Sequence, residues 1–286
     1  MPSTIENELI SQAMEAASEV AGLVGAGQVD PILLHYSQHI SVLWPSVETV
    51  ARIVVCTEDS AAERVSRELA VARHLIERQA PVVPPSPILP AGPHFHGKFG
   101  LTLWQFAAHT PADGDNPIHV VAAAATALRR IHQALADYPG MLPSFRTKVD
   151  NCRVLLAERS SLPALVDADR KFLLTTYDRI SRIMDTLPIE LIPIHGDAGP
   201  HNVLMTSDGA RYIDFEDASL GPREWDVGWL PDVDLAFFEP IHRGRLSALS
   251  DLRSLCVSVW CFAKYDIAGK REAANYHLGY LKERFG

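Results

Sequence analysis

The chain has 286 residues, of which 47% are hydrophobic and 21% charged, an ordinary globular balance with room for one large domain or two lobes. Its formal net charge of −9 excludes nucleic acid as the main partner, because neutralising phosphates takes a basic face, and favours a neutral or cationic small ligand. No run approaches the roughly 18 apolar residues of a membrane span, residues 1–20 carry Glu6, Glu8, Glu15 and Glu19 without a lysine or arginine, unlike a signal or transit peptide, and Cys56, Cys152, Cys256 and Cys261 form no C-x-x-C pair, which reads as free thiols in the cytoplasm.

Ser3 is placed to cap a first helix, in which Leu9, Ile10, Ala13, Met14, Ala17, Val20 and Ala21 recur at helical spacing up to Gly25 or Gly27. Residues 32–36, 40–43 and 49–56 are short β-type runs, separated by Ser37-Gln38-His39 and by Trp44-Pro45-Ser46. A helix over about 59–79 follows, with Val65, Leu69, Ala72, Leu75 and Ile76 on one face. A proline-rich loop over 81–93 precedes His94 and His96, expected in a surface turn, and leads to a strand over 100–106. Asn116-Pro117 is an N-cap with a first-turn proline for a helix to about 137. Further helical pattern covers 145–158 and 164–187, two apolar strands at 191–194 and 211–215 flank a polar loop, and helices resume over 246–268 and 270–284. A mostly β first part and a mostly α remainder, meeting near 104–108, predict an α+β fold of two lobes with a cleft between them.

The polar loop carries the chemistry. Asp197 and Asn202 stand five residues apart in Ile194-His195-Gly196-Asp197-Ala198-Gly199-Pro200-His201-Asn202, and the next strand delivers Asp214 within Ile213-Asp214-Phe215-Glu216-Asp217. Two carboxylates and a carboxamide oxygen at a hairpin-like turn are hard oxygen ligands, of the kind magnesium takes alongside phosphate oxygens. Phosphoryl transfer needs metal to neutralise the phosphates and one carboxylate to position and deprotonate the attacking hydroxyl, and this loop can supply both.

The run resembles the signature of the aminoglycoside phosphotransferase and choline kinase-like enzymes, relatives of the protein kinases whose catalytic loop reads H-G-D-x-x-x-x-N. The Asp-Phe-Glu-Asp run is similar to their form of the metal-binding D-F-G, and Gly221-Pro222-Arg223-Glu224-Trp225-Asp226 to their G-P-x-x-x-D. The resemblance implies a protein-kinase-like two-lobed fold: a small β-rich nucleotide-binding lobe with one helix, 1–105, and a larger helical lobe, 106–286, for catalysis and acceptor binding. It implies Asp197 as the catalytic base, Asn202 and Asp214 as Mg²⁺ ligands, Glu216 reaching a second metal through water, His195 in a structural place, and Asp226 bracing the catalytic loop through backbone hydrogen bonds.

A kinase-like first lobe also needs a cation for the nucleotide phosphates on its third strand, held by a glutamate of its helix. No lysine precedes Lys98, and Arg52, between Ala51 and Ile53, is the stand-in; as arginine it offers a planar fork instead of a point charge. Glu68 is its expected partner, with Glu63 as competitor, and Arg64 and Arg67 are alternative cations on the helix. The phosphate loop falls on Ser37-Gln38-His39, which has no glycine, and Gly25-Ala26-Gly27 reads as a helix terminus. Backbone groups of Trp104, Gln105 and Phe106 are expected as the hinge that reads the purine. The expected activity is transfer of the γ-phosphoryl of ATP or GTP to a hydroxyl of a small, cationic or neutral molecule. An aminosugar leads; an amino alcohol, a methylthiopentose, homoserine, or a non-catalytic nucleotide-binding regulator are the alternatives. Asp232, Asp234 and Glu239 either bind a cationic acceptor or cap helices, and His132 and the aromatics Trp225, Trp229, Phe237, Phe238 and Trp260 read first as core or pocket lining.

Overall fold

The computed structural model describes residues 4–37, 39–56, 59–110, 117–267 and 269–286. Ser3 and Asn116, expected as helix caps, and Gln38 of the expected phosphate turn lie outside the described residues. In chain order the elements are α1 (Thr4–Leu23), β1 (Ile32–Tyr36), β2 (Ile40–Trp44), β3 (Thr49–Val55), α2 (Asp59–Glu77), β4 (His94–His96), β5 (Phe99–Gln105) and α3 (Pro117–Leu135). They continue with α4 (Phe145–Ala157), α5 (Asp167–Asp185), β6 (Ile192–Ile194), β7 (Val203–Thr206), β8 (Gly209–Tyr212), β9 (Ser219–Gly221), α6 (Arg223–Val227), α7 (Arg243–Phe262) and α8 (Lys270–Phe285). The chain divides into two compact units, Met1–Gly140 with Asp197–Ala218, and Met141–Gly196 with Ser219–Gly286.

The first unit is built on an antiparallel sheet in the order β1-β2-β3-β5-β4. Strand alternation sends Ala51 and Ile53 to one face, where they join Ala13, Ala17 and Val20 of α1 with Val42, Trp44, Leu101 and Leu103 in one buried cluster. The opposite face carries Val50 and Trp104, packed with Leu69 and Ala72 of α2. Burying each such aliphatic side chain contributes about 1.5–3 kcal/mol, so helices on both faces make β3 the centre of this unit. Arg52 lies between Ala51 and Ile53 and therefore points to the α2 side; its register neighbours, Ser41 and Thr102, are small. The α1 helix stops at Leu23, and Gly25 and Gly27 take positive φ of 84° and 73° in the turn that follows, as expected of a helix terminus.

Two further strands of this unit depart from expectation. The sequence predicts a strand over 211–215 as the next one after 191–194; β8 ends instead at Tyr212 and pairs with β7, a strand inside the expected loop, while β6 pairs with β9. The β7–β8 hairpin is anchored by backbone bonds from Tyr212 N–H to the Pro81 carbonyl at 2.9 Å and from Val83 N–H to the Tyr212 carbonyl at 3.1 Å. His94 and His96 form the three-residue edge strand β4 against β5 instead of a turn, because Gly97-Lys98 supplies the reversal that lets 94–96 fold back on Phe99.

The second unit is helical, and its core gathers Val149, Cys152 and Leu156 of α4, Leu173, Tyr177 and Ile180 of α5, and Leu252, Leu255, Val259 and Phe262 of α7, with Leu278 and Leu281 of α8. Cys152, Cys256 and Cys261 are buried free thiols and Cys56, in the first unit, is half-buried and free. Among the described residues no helix is long and apolar enough to cross a membrane. The α+β class expected from the sequence is the one observed.

Candidate active site

Arg52 is 8% exposed and Glu68 1% exposed. A buried charge is tolerated only when paired and hydrogen-bonded, and Arg52 is held on two sides. Its Nη1 donates to Glu68 Oε2 at 2.6 Å and its Nη2 to Asp214 Oδ1 at 2.7 Å, with Glu216 Oε2 at 3.5 Å from Nη2. Burial opposes the guanidinium charge, but Glu68, Asp214 and Glu216 outweigh it and raise the Arg52 pKa. Burial pushes the Glu68 carboxyl up; Arg52 pulls it down, while Asp214 and Glu216 add to the rise. The competing Glu63 is exposed, and Arg67 of α2 is used elsewhere, donating from Nη2 to the Glu216 carbonyl at 2.7 Å.

The two acidic segments meet through the hairpin. Val203 and Tyr212 are register partners at its open end, so Asn202 and Ile213 stand opposite one another, and Ile213 N–H donates to the Asn202 carbonyl at 3.0 Å. Asp214 comes next, past the strand, with φ +67°. The left-handed region is rare outside glycine but best tolerated by Asp and Asn, and there it turns the carboxylate to Arg52. On the other arm, Asn202 Nδ2 donates to the Asp197 carbonyl at 2.8 Å and lies 3.3 Å from Asp197 Oδ2, which His201 Nε2 also meets at 3.3 Å. The amide of Asn202 thus holds the loop closed around the side chain of Asp197.

Just before Asp197, within the second unit, Gly196 has φ +89°, a conformation available to glycine without strain. Both carboxylate oxygens of the fully buried Asp226 accept from this turn: His195 N–H and Gly196 N–H donate at 2.8 Å each, and Trp225 Nε1 donates to the Gly196 carbonyl at 2.8 Å. The bracing expected of Asp226 is therefore present, and it comes from the N-terminal turn of α6.

The segment proposed to read a purine is the end of β5. Trp104 is buried, with its indole N–H given to Thr102 Oγ1 at 2.8 Å. Gln105 N–H donates to the Pro84 carbonyl at 3.0 Å and Phe106 N–H to the Glu48 carbonyl at 2.9 Å. In the second unit, Asp234 caps a short 3₁₀ turn through Ala236 N–H at 3.0 Å and Glu239 accepts from Ile241 N–H at 3.1 Å. Trp225 and Phe238 are core residues, whereas Trp229 and Trp260 lie under the cations of Arg253 and Lys148.

His39 had no signal of its own in the sequence. It follows the turn between β1 and β2, and its Nε2 lies 3.0 Å from Glu216 Oε1, a contact spanning 177 positions. Burial raises the Glu216 pKa, but the hydrogen bond from His39 and the charge of Arg52 overcome it and hold this carboxylate well below the usual range. Its second oxygen, Oε2, is buried without a hydrogen-bond partner. His39, Asp214 and Glu216 each bring a ligand atom to within 4.8 Å of the others. Two carboxylates and an imidazole gathered in this way fit a divalent cation at this point.

No curated protein matches the chain in sequence. Among solved structures, wild-type aminoglycoside 2'-phosphotransferase-IIIa in its GDP complex is similar over 95% of this chain and 97% of that one, with TM-score 0.69 and 14% identity. Amicoumacin kinase hAmiN in complex with AMP-PNP, Ca²⁺ and Ami covers 99% of this chain and 97% of its own, with TM-score 0.71 and 11% identity. A choline/ethanolamine kinase family protein from Mesorhizobium loti covers 94% and 93%, with TM-score 0.68 and 17% identity. These likenesses give the fold, which is the protein-kinase-like one expected. The model of the Phosphotransferase enzyme family (APH) matches residues 45–255, well over half of the sequence and inclusive of Arg52, Glu68, the H-G-D loop, Asp214 and Asp226. The chain belongs to the phosphotransferase enzyme family.

Proposed function

We propose that this protein transfers the γ-phosphoryl group of ATP or GTP to a hydroxyl of a small molecule. The observation that carries the reading is the buried chain Glu68–Arg52–Asp214, which joins a strand, a helix and the acidic segment at the end of the β7–β8 hairpin. In this reading Arg52, fixed by Glu68, presents its fork to the nucleotide phosphates. Asp214 and Asn202, brought together at the hairpin's open end, would hold Mg²⁺. Held there, the ion would supply positive charge to the phosphate oxygens during transfer. Asp197, kept in place by Asn202 and His201, orients the acceptor hydroxyl and takes its proton. The Gln105 and Phe106 N–H groups already donate within the fold, so a purine at residues 104–106 is read through the other backbone groups of the segment. In this reading the donor is held by 1–105 together with Asn202 and Asp214, and the acceptor by the remainder of 106–286.

An aminosugar hydroxyl is the leading acceptor. The net charge of −9 suits a cationic molecule, and related folds have been solved with kanamycin and with amicoumacin. Free thiols at all four cysteines fit a cytoplasmic setting. Nucleotide consumption across a panel of aminosugars, amino alcohols, methylthiopentoses and homoserine, with Mg²⁺ and either ATP or GTP, is the test. One class should stimulate turnover, and Asp197→Asn should keep nucleotide binding while losing roughly 10²–10⁴-fold in transfer rate. Transfer by Asp197→Asn at the wild-type rate removes Asp197 from the base position.

A further inference from the structure

The place where a kinase-like lobe uses a glycine-rich phosphate loop holds an imidazole in this chain. His39 leaves the β1–β2 turn, whose backbone closes through Ser37 N–H to the His39 carbonyl at 3.0 Å, and its ring sits on Glu216. The ring is largely buried, with 14% of the side chain exposed, and its other nitrogen, Nδ1, is buried without a hydrogen-bond partner. Glu216 is 8% exposed, and its orphaned Oε2 belongs to the same cluster as Asp214. Arg52 pairs with Glu68, Asp214 and Glu216 together, and Arg67 Nη2 donates to the Glu216 carbonyl at 2.7 Å. A ring nitrogen of His39 and the carboxylates of Asp214 and Glu216 therefore converge on one place, each with a ligand atom within 4.8 Å of the others.

We infer that His39, Asp214 and Glu216 form a metal site of mixed nitrogen and oxygen donors that takes a first-row transition dication of the manganese-to-zinc series. Magnesium prefers an all-oxygen shell, whereas imidazole raises affinity for the later ions, with Mn²⁺ weakest in that order and Cu²⁺ strongest. The imidazole is what separates this site from an oxygen-only site at Asn202 and Asp214, and the inference rests on the proposed function only in sharing Asp214 with it. Glu216 then binds directly, without the bridging water that the family resemblance implies.

The test uses the full chain without nucleotide or acceptor, so its outcome is independent of phosphoryl transfer. Titration with Co²⁺, followed by visible absorption, should show one site in the wild-type protein. His39→Ala should weaken Co²⁺ at least about tenfold, the lower end of what even an indirect ligand partner contributes, while Mg²⁺ binding measured by calorimetry stays nearly unchanged. Glu216→Gln should likewise weaken Co²⁺ more than Mg²⁺. Pulsed EPR of Mn²⁺ bound to the wild-type protein should show coupling to an imidazole nitrogen, a readout that needs no variant to fold. Co²⁺ binding unaltered in His39→Ala, or an oxygen-only Mn²⁺ shell, overturns the inference and leaves the proposed function standing. A metal site with these properties in a protein that phosphorylates no acceptor overturns the proposed function instead.

Discussion

Arg52 shares one buried guanidinium among Glu68, Asp214 and Glu216, so its removal acts on stability and on nucleotide binding together. Truncation strands Glu68 at 1% exposure, and an uncompensated buried charge costs about 3–5 kcal/mol when its partner is deleted. Arg52→Ala should lower the denaturant midpoint by a corresponding amount and, at temperatures where it remains folded, weaken nucleotide binding in calorimetry. Arg52→Lys should recover part of both, since an ammonium restores the charge but cannot serve two carboxylates with a planar fork. Full nucleotide affinity in Arg52→Ala would show that the phosphates find their cation elsewhere. The Arg52–Glu68 pair was legible because a charge between Ala51 and Ile53 on a central strand must meet a partner on the one helix that covers that face. His39 was not, because nothing local to a glycine-free turn indicates a carboxylate 177 positions away.

At the level of elements, the β7–β8 hairpin places Asn202 and Asp214 together, and its misreading has a plain cause. The strand expected over 211–215 borrowed Phe215, a buried aromatic, from beyond the true end at Tyr212, where Asp214 leaves the extended region. The signal that identifies the hairpin is Asp208-Gly209 between two short runs, with Gly209 at φ +102°. The role of Asp226 was legible through its motif alone, since the two backbone N–H groups it accepts from, those of His195 and Gly196, lie 31 and 30 positions away. On α8, His277 predicts a pH dependence. Burial lowers its pKa from 6.5 to about 4, with Arg253 adding to the fall. Between those values the unfolded chain holds the proton and the folded one does not, so stability rises with pH across the window and is lost as pH drops from 6.5 toward 4. Urea midpoints of His277→Phe should therefore fall less between pH 7 and pH 5 than those of the wild-type protein. Equal losses in the two proteins would remove His277 as a source of acid sensitivity.

For the molecule as a whole, the division of the chain decides where ligand energy goes. Arg52, Glu68, Asp197, Asn202, Asp214 and Glu216 all belong to the first unit, whose core under α1 is separate from the α4–α5–α7–α8 core of the second. The composition and periodicity foretold a β-rich part and a helical part, but they did not foretell that residues 197–218 leave the helical half of the sequence to join the first unit. That return depends on backbone bonds such as Tyr212 to Pro81, which carry no side-chain pattern. A ligand that binds only the native state stabilises it by about 2.7 kcal/mol at a hundred times its Kd, and in a two-unit chain that gain appears where the ligand makes its contacts. Hydrogen exchange with saturating Mg²⁺ and a non-hydrolysable nucleotide should therefore slow most in β3, α2 and residues 202–216. Amides in the buried turns of α7 and α8 should change least. Protection gained in α7 and α8 with none in β3 and the hairpin would place the nucleotide on the second unit and remove Arg52 and Asp214 from its binding.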